Sequence, residues 1–455
     1  MKPIQLWKNN RIFLILIIAM SIAAYLGFAY RFQRTAYLEL AVLYSALFAS
    51  YFYFVSKYKE NFKLLAALSI AFRLLFLLAI PNLSQDFFRF IWDGRMILAN
   101  FNPYLYTPNF FIESSEFPVA QALELHAGMG PLSASNNTNY PPLNQMFFVI
   151  AGIFAGKSIL GSTIVMRLLI IVADIGTLTI GKKLLEKLKM PTHRIFWYLL
   201  NPLIIIELSG NLHFEGVMVF FLILGVYLLH INRWKVAAVF FSLSVSIKLI
   251  PLLFIPLLFK KLGWKNWMMF SAIVGFISAL FFLPFYSIEF ATNYANTVAL
   301  WFQKFEFNAS IYYLIREIGY SFRGYNEIAI IGLVLSVLVL FIVVGMAILR
   351  KNKETNDLIT TMMLALAFFY FTTTTMHPWY LATLLLLSVF SKYRFVLVWS
   401  FVIFLSYFAY TNGDSQENLW LVFLEYLIVY GVLIYELYTI AKSKKPTIIT
   451  HGRLR

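Results

Sequence analysis

Apolar runs fill most of this chain, and polar residues break them at intervals that suit a lipid bilayer. A spanning helix needs about 20 mostly apolar residues. Runs of that kind, some shorter, recur at 11–30, 36–56, 62–80, 160–181, 195–210, 215–230, 232–248, 251–260, 266–285, 327–350, 356–375, 378–391, 395–411 and 418–440. The pattern predicts an all-α polytopic membrane protein with about fourteen crossings. The first run follows "MKPIQLWKNNR" and is long enough to span, so it is expected as an uncleaved helix rather than a removed leader. No long polar stretch divides the chain, which predicts one transmembrane domain over 1–455 with large loops at 81–159 and 286–326.

Basic residues orient the helices. With the N-terminus inside, 26 of the 37 Lys and Arg residues fall in cytoplasmic loops or at the termini, including Lys182–Arg194, Lys260–Lys265, Arg350–Lys353 and the tail through Lys442, Lys444, Lys445, Arg453 and Arg455. "YPPLNQMFFVIAGIFAG" (140–156) resembles a short span, but a crossing there would invert every later loop. It is therefore expected as a helix in the outer interface that starts at Pro141-Pro142, and 308–320 is read the same way. The composition agrees: 61% of residues are hydrophobic and 13% charged, about half the charge of a soluble protein. The net charge of +16 is then cytoplasmic bias rather than a nucleic-acid footprint. Cysteine is absent, which excludes disulfides and thiolate metal sites.

This orientation brings five polar stretches to the outer face: the 81–142 loop, "SGNLHFEG" (209–216), Lys248, the 286–326 loop and "TTTTMHPWY" (372–380). The densest is "SQDFFRFIWDGRMILANFNPYLYTP" (84–108). Read as a helix capped by Ser84, it sets Asp86, Arg89 and Asp93 within about 60° of one another. Phe87, Ile91 and Leu98 point elsewhere and are expected to bury, and Asn102-Pro103 ends the element. A solvated salt-bridge edge is the bland reading of the same spacing. Lys248, with Pro251 three residues on, either snorkels to the interface or holds an anion. His213, Glu215 and His377 lack the spacing of metal ligands, so no metal is expected. Trp301, Phe305 and Phe307 are either interfacial belt residues or sugar-stacking rings. Carboxylates, cations and aromatics beside lipid suit a polar acceptor and a lipid-linked anionic donor, with a carboxylate as proton acceptor and cations on the departing phosphate. The helix N-terminus favours ionised Asp86 and so lowers its basicity.

In order along the chain, "D..RFIWDGR....NFNPY", "TNYPPL", "NLHFEG", "SIKLIP" and "HPWYL" resemble bacterial polyprenyl-phosphate-sugar-dependent mannosyltransferases of the GT-C class. More distantly they are similar to the catalytic subunit of the first mannosyltransferase of glycosylphosphatidylinositol assembly. The resemblance implies a GT-C-like helix bundle with interfacial helices in a large first extracytoplasmic loop. It also implies inverting transfer of a hexose, here mannose, from a polyprenyl phosphate to a lipid or glycan acceptor at the outer face, without a cofactor. Asp86 matches the catalytic base and Asp93 the second acid. Lys248 matches a lysine near the donor phosphate, where Arg89 and His213 are also placed. Trp92, Tyr104, Tyr140, Glu215, His377 and Trp379 lie in the same blocks and are assigned to shaping the substrate site. Relatives carry His-Asn-Asp where this chain has His213-Phe214-Glu215. The apolar groove for the prenyl chain is expected near 236–285. The implied location is a bacterial inner membrane with both termini cytoplasmic. Rival readings are a lipid-linked glycan polymerase or ligase, a transporter or flippase, and a scaffold. No internal repeat supports a transporter.

Overall fold

The computed structural model describes residues 2–411 and 416–443, without side-chain detail at 2–10 and 301–303. The basic tail residues Lys444, Lys445, Arg453 and Arg455, and the Trp301 side chain, lie outside the described residues. The main helices, in chain order, are α1 (Lys2–Leu26), α2 (Tyr37–Lys57), α3 (Phe62–Leu74), α4 (Asp86–Leu98), α5 (Ala122–Ala134), α6 (Pro142–Ala155), α7 (Ile159–Lys187), α8 (Glu215–His230) and α9 (Trp234–Ile247). They continue with α10 (Trp264–Phe282), α11 (Ile288–Gln303), α12 (Ile311–Arg323), α13 (Ile328–Leu349), α14 (Thr355–Thr372), α15 (Leu381–Val389), α16 (Phe395–Val402) and α17 (Leu419–Ser443). Among the described residues there is no strand, only an isolated bridge between Phe307 and Thr375. The all-helical expectation holds.

The expected fourteen crossings do not. Among the described residues six helices are long and apolar enough to cross a membrane, seven if the bent pair Pro202–Gly210 and Glu215–His230 counts as one span. Run 62–80 contains a 13-residue helix, and 195–210 breaks into short pieces. The reason is length: many apolar runs break into helices too short to span, such as α15 with nine residues, about 14 Å. All nine residues of α15 are buried, whereas α13 exposes Leu349, Phe341 and Val334. Hydropathy reads both as apolar, because a helix enclosed by helices and one facing lipid present the same composition. Helix α6 has 14 residues, about 21 Å, too short to cross about 30 Å of hydrocarbon.

The bend of 115° between Gly210 and Glu215 sets much of the site. Leu212 sits there at φ +65°, and the turn throws backbone carbonyls out of helical pairing. Arg167 of α7 collects them: its Nε donates to Ser209 O (2.6 Å) and its Nη2 to Gly210 O (3.1 Å), while Nη1 donates to Leu77 O (2.9 Å). Broken backbone at this depth survives only where protein groups satisfy it. A second buried arginine, Arg73 of α3, pairs with Asp174 of α7 at 2.6 Å and donates to the carbonyls of Ser69 and Leu199.

Helix α4 packs backbone to backbone on α6. A Cβ added at Gly94 would lie 2.4 Å from the Phe148 carbonyl oxygen. Gly94→Ala is expected to push the two helices apart and destabilise the protein by about 1–3 kcal/mol. Thermal unfolding in detergent checks this, and an unchanged midpoint would contradict the packing.

Candidate active site

Four of the five polar stretches line one cavity of about 680 Å³, joined by Arg34, Tyr410 and Glu417. The fifth, at the helix bend, supplies His213 and Glu215 to a water-sized void that shares Asp86, Tyr140, Lys248 and Trp379 with it. A cavity of this size accommodates a sugar with its phosphate.

Asp86 opens α4. The cap residue is Gln85 rather than Ser84, whose Oγ instead accepts from the Asp86 amide at 3.3 Å. The Asp86 side chain is 34% exposed, and its Oδ2 lies 3.9 Å from His213 Nδ1. Burial pushes its carboxyl up to about 6, aided by Glu215, while Lys248 and the Tyr140 hydroxyl oppose the rise. Desolvation thus outweighs the helix dipole, which on its own lowers basicity.

Arg89 and Asp93 form an ion pair at 2.6 Å, both buried. Arg89 Nη1 also donates to the carbonyls of Ser133 and Asn136, and Asp93 Oδ2 accepts from Gln145 Nε2 at 3.0 Å. Arg89 touches the cavity, whereas Asp93, fully buried, does not line it. The pair ties α4 to the 133–138 turn and to α6. Phe87 and Ile91 bury as expected, but Leu98, the last residue of α4, is 44% exposed.

Lys248 follows the last turn of α9 in extended backbone (φ −155°, ψ 139°), so its side chain leaves the helix and enters the cavity. It pairs with Glu215 and lies 4.3 Å from the centre of the Tyr380 ring. Arg34, in the turn between α1 and α2, has no carboxylate partner among the described residues. It contacts Gln85 Oε1 at 3.4 Å and faces the Tyr410 ring at 5.2 Å.

Stacked rings build one wall. His213 lies on Trp379 (3.9 Å, 14°), Trp379 on His377 (4.4 Å, 6°), His377 on Phe307 (4.9 Å, 27°), and Phe307 on Tyr410 (5.9 Å, 26°). Burial, seconded by Lys248, lowers His377 to about 3 and keeps it neutral. Phe305 also lines the cavity. Tyr140 lines it too, held by Tyr104, whose hydroxyl donates to the Tyr140 carbonyl at 2.7 Å. Tyr104 and Trp92 are fully buried behind the wall, so they support the site without touching its contents.

Sequence reasoning passed over Arg34 and Glu207. Each left a signal: a cation in the short turn between the first two apolar runs, and an acid inside the apolar run "PLIIIELSG". Among the described residues no group of three His, Cys, Asp or Glu side chains is placed to hold a metal ion.

Over residues 17–262 the chain matches the family model described as alpha-(1->6)-mannopyranosyltransferase, N-terminal domain. No curated protein matches it. The matched span contains Asp86, His213, Glu215 and Lys248, and leaves out His377 and Trp379. More than half of the chain lies within that match, and the helical architecture is that of a multi-pass membrane protein. This chain belongs to the alpha-(1->6)-mannopyranosyltransferase family, whose members transfer mannose from a polyprenyl-phosphate donor to a glycan acceptor.

Proposed function

We propose that this mannosyltransferase uses Asp86 as its general base, in an inverting displacement at the outer face of a bacterial inner membrane with both chain termini cytoplasmic. The observation that carries the reading is a partly exposed carboxylate in the wall of a cavity that also holds Lys248 and Arg34. The acceptor hydroxyl approaches Asp86. As its oxygen bonds to C1 of mannose, the bond from C1 to the phosphate oxygen breaks and the phosphate leaves with the electron pair. Asp86 takes the hydroxyl proton. Lys248 and Arg34 receive the charge that develops on the phosphate.

Of these cations, Arg34 is the freer, because Glu215 already balances Lys248. Arg89, held by Asp93 and two carbonyls, acts mainly as a brace for α4. Trp379 and His377 offer flat faces against which a sugar can rest. The prenyl chain leaves the cavity past Leu249, Ile250, Val298, Leu300 and Phe369, towards the exposed apolar side of α10 at Met269 and Phe276. The chain works as a single catalytic unit: one contiguous apolar core runs from Ala24 to Val429.

The test is incubation of purified protein with polyprenyl-phosphate mannose and membrane-derived glycans, followed by mass spectrometry. A product heavier by one hexose is expected, with mannose alpha-(1->6)-linked. Absence of any hexose transfer across lipid-linked donors would overturn the reading. Because the base must be ionised, kcat/KM should be flat above pH 7 and fall about tenfold per unit below about 6. An acid limb near the ordinary aspartate value of about 4 would show that burial does not govern this carboxyl.

A further inference from the structure

Asp86 is not the last acid in line. Behind it, away from the cavity, lie His213 and Glu207, 2% and 1% exposed. His213 Nδ1 faces Asp86 Oδ2 at 3.9 Å, and His213 Nε2 faces Glu207 Oε2 at 3.5 Å. Both separations are somewhat longer than hydrogen bonds, and Nε2 has no hydrogen-bond partner. Glu207 accepts from Asn211 Nδ2 at 3.1 Å and from the Tyr407 hydroxyl. Anchoring Tyr407 and Asn211 accounts for Glu207 in part. It does not account for a carboxylate, at the depth of a broken helix, aimed at an imidazole nitrogen that nothing else satisfies. A buried acid at such depth is costly to keep and marks a functional group by default. One face of the imidazole stacks on Trp379, which holds the ring in its orientation between the two carboxylates.

We propose that His213 and Glu207 form a buried proton-accepting pair behind Asp86, which lets Asp86 hand on the proton it takes from the acceptor. The inference rests on the reading of Asp86 as base. Glu207 draws the imidazole proton to Nε2 and leaves the Nδ1 lone pair towards Asp86. When the acceptor oxygen bonds to C1 and the phosphate departs with the electrons of the broken bond, the proton moves to Asp86 and then to Nδ1. The imidazolium stands between two carboxylates, against burial, the Lys248 charge and the neighbouring His377, which disfavour it, so it lasts only until the products leave. After the products leave, the proton returns through Asp86 to water in the cavity. Both residues act through Asp86 and are positioning residues. The other ionisable groups around the pair are Lys248, Glu215, His377, Tyr44, Tyr140, Tyr407 and Tyr410. None of them lies between Asp86 and Glu207 as His213 does.

The experiment compares Glu207→Gln, Glu207→Asp and His213→Gln in the purified full-length protein, through pH profiles of kcat and donor KM. Glu207→Gln keeps the side-chain shape but removes the charge. Its kcat is expected to fall about 10- to 100-fold with donor KM unchanged, and its acid limb to move down by about one pH unit as Asp86 loses a negative neighbour. Glu207→Asp should recover part of the rate. His213→Gln, which can hydrogen-bond both acids but carries no proton, should match Glu207→Gln, and it gives the same readouts should Glu207→Gln fail to insert. A kcat within twofold of wild type and an unmoved limb in these variants overturns the relay. If Asp86→Asn is meanwhile inactive, the base assignment survives; if Asp86→Asn is active, that assignment is what fails.

Discussion

Asp86→Asn is expected to reduce mannosyl transfer about a thousandfold while leaving the protein inserted and folded. Asparagine has nearly the same size and shape as aspartate but cannot accept the acceptor's proton. The side chain is a third exposed to the cavity and makes no short ion pair, so its loss should change stability by no more than about 0.5 kcal/mol. The measurement is single-turnover transfer beside a thermal melt. Donor binding should persist, because Lys248 and Arg34 remain. A variant that still turns over at a tenth of the normal rate would remove Asp86 from the chemistry.

The largest effect on stability is expected from Arg73→Ala. The guanidinium meets Asp174 at 2.6 Å and two backbone carbonyls at 2.7 and 2.8 Å, with 1% exposure. Removing it strands a buried carboxylate and two acceptors, a change that costs about 3–5 kcal/mol. Deleting both partners leaves no such charge. Arg73→Ala with Asp174→Ala should therefore be more stable than Arg73→Ala alone, which a double-mutant cycle in detergent reads directly. A double-variant loss equal to the sum of the two single losses would mean that the pair is not coupled.

What could be read from residues alone follows physical lines. Alternation of apolar runs and polar breaks is strong enough to give the helical class. The placement of basic residues was enough to bring Asp86, Lys248, His377 and Trp379 to one side, and they do line one cavity. Crossing number was not legible, since hydropathy does not show where an apolar run breaks: α15, with nine residues, and α13, with 22, both read as apolar in sequence. Nor was the state of Asp86. A helix start argues for an easily ionised carboxylate, and only the walls around it reverse that. The ion pair of Arg89 with Asp93 was available from their spacing of four, but that it faces inward to Gln145 was not. Arg34 meets Gln85 across 51 residues and Glu207 meets Tyr407 across 200, neither of which a local reading of the sequence can show.

The contact at Gly94 also limits how substrates get in. Two helices whose main chains touch can neither roll nor slide without a clash, so the floor under Asp86 is immobile. Any widening for a mannosyl lipid falls to the opposite bank, where α11 is tied by Asn293 to the Tyr104 carbonyl at 3.1 Å, and the turn before it by Asn102 to the Phe285 carbonyl at 3.3 Å.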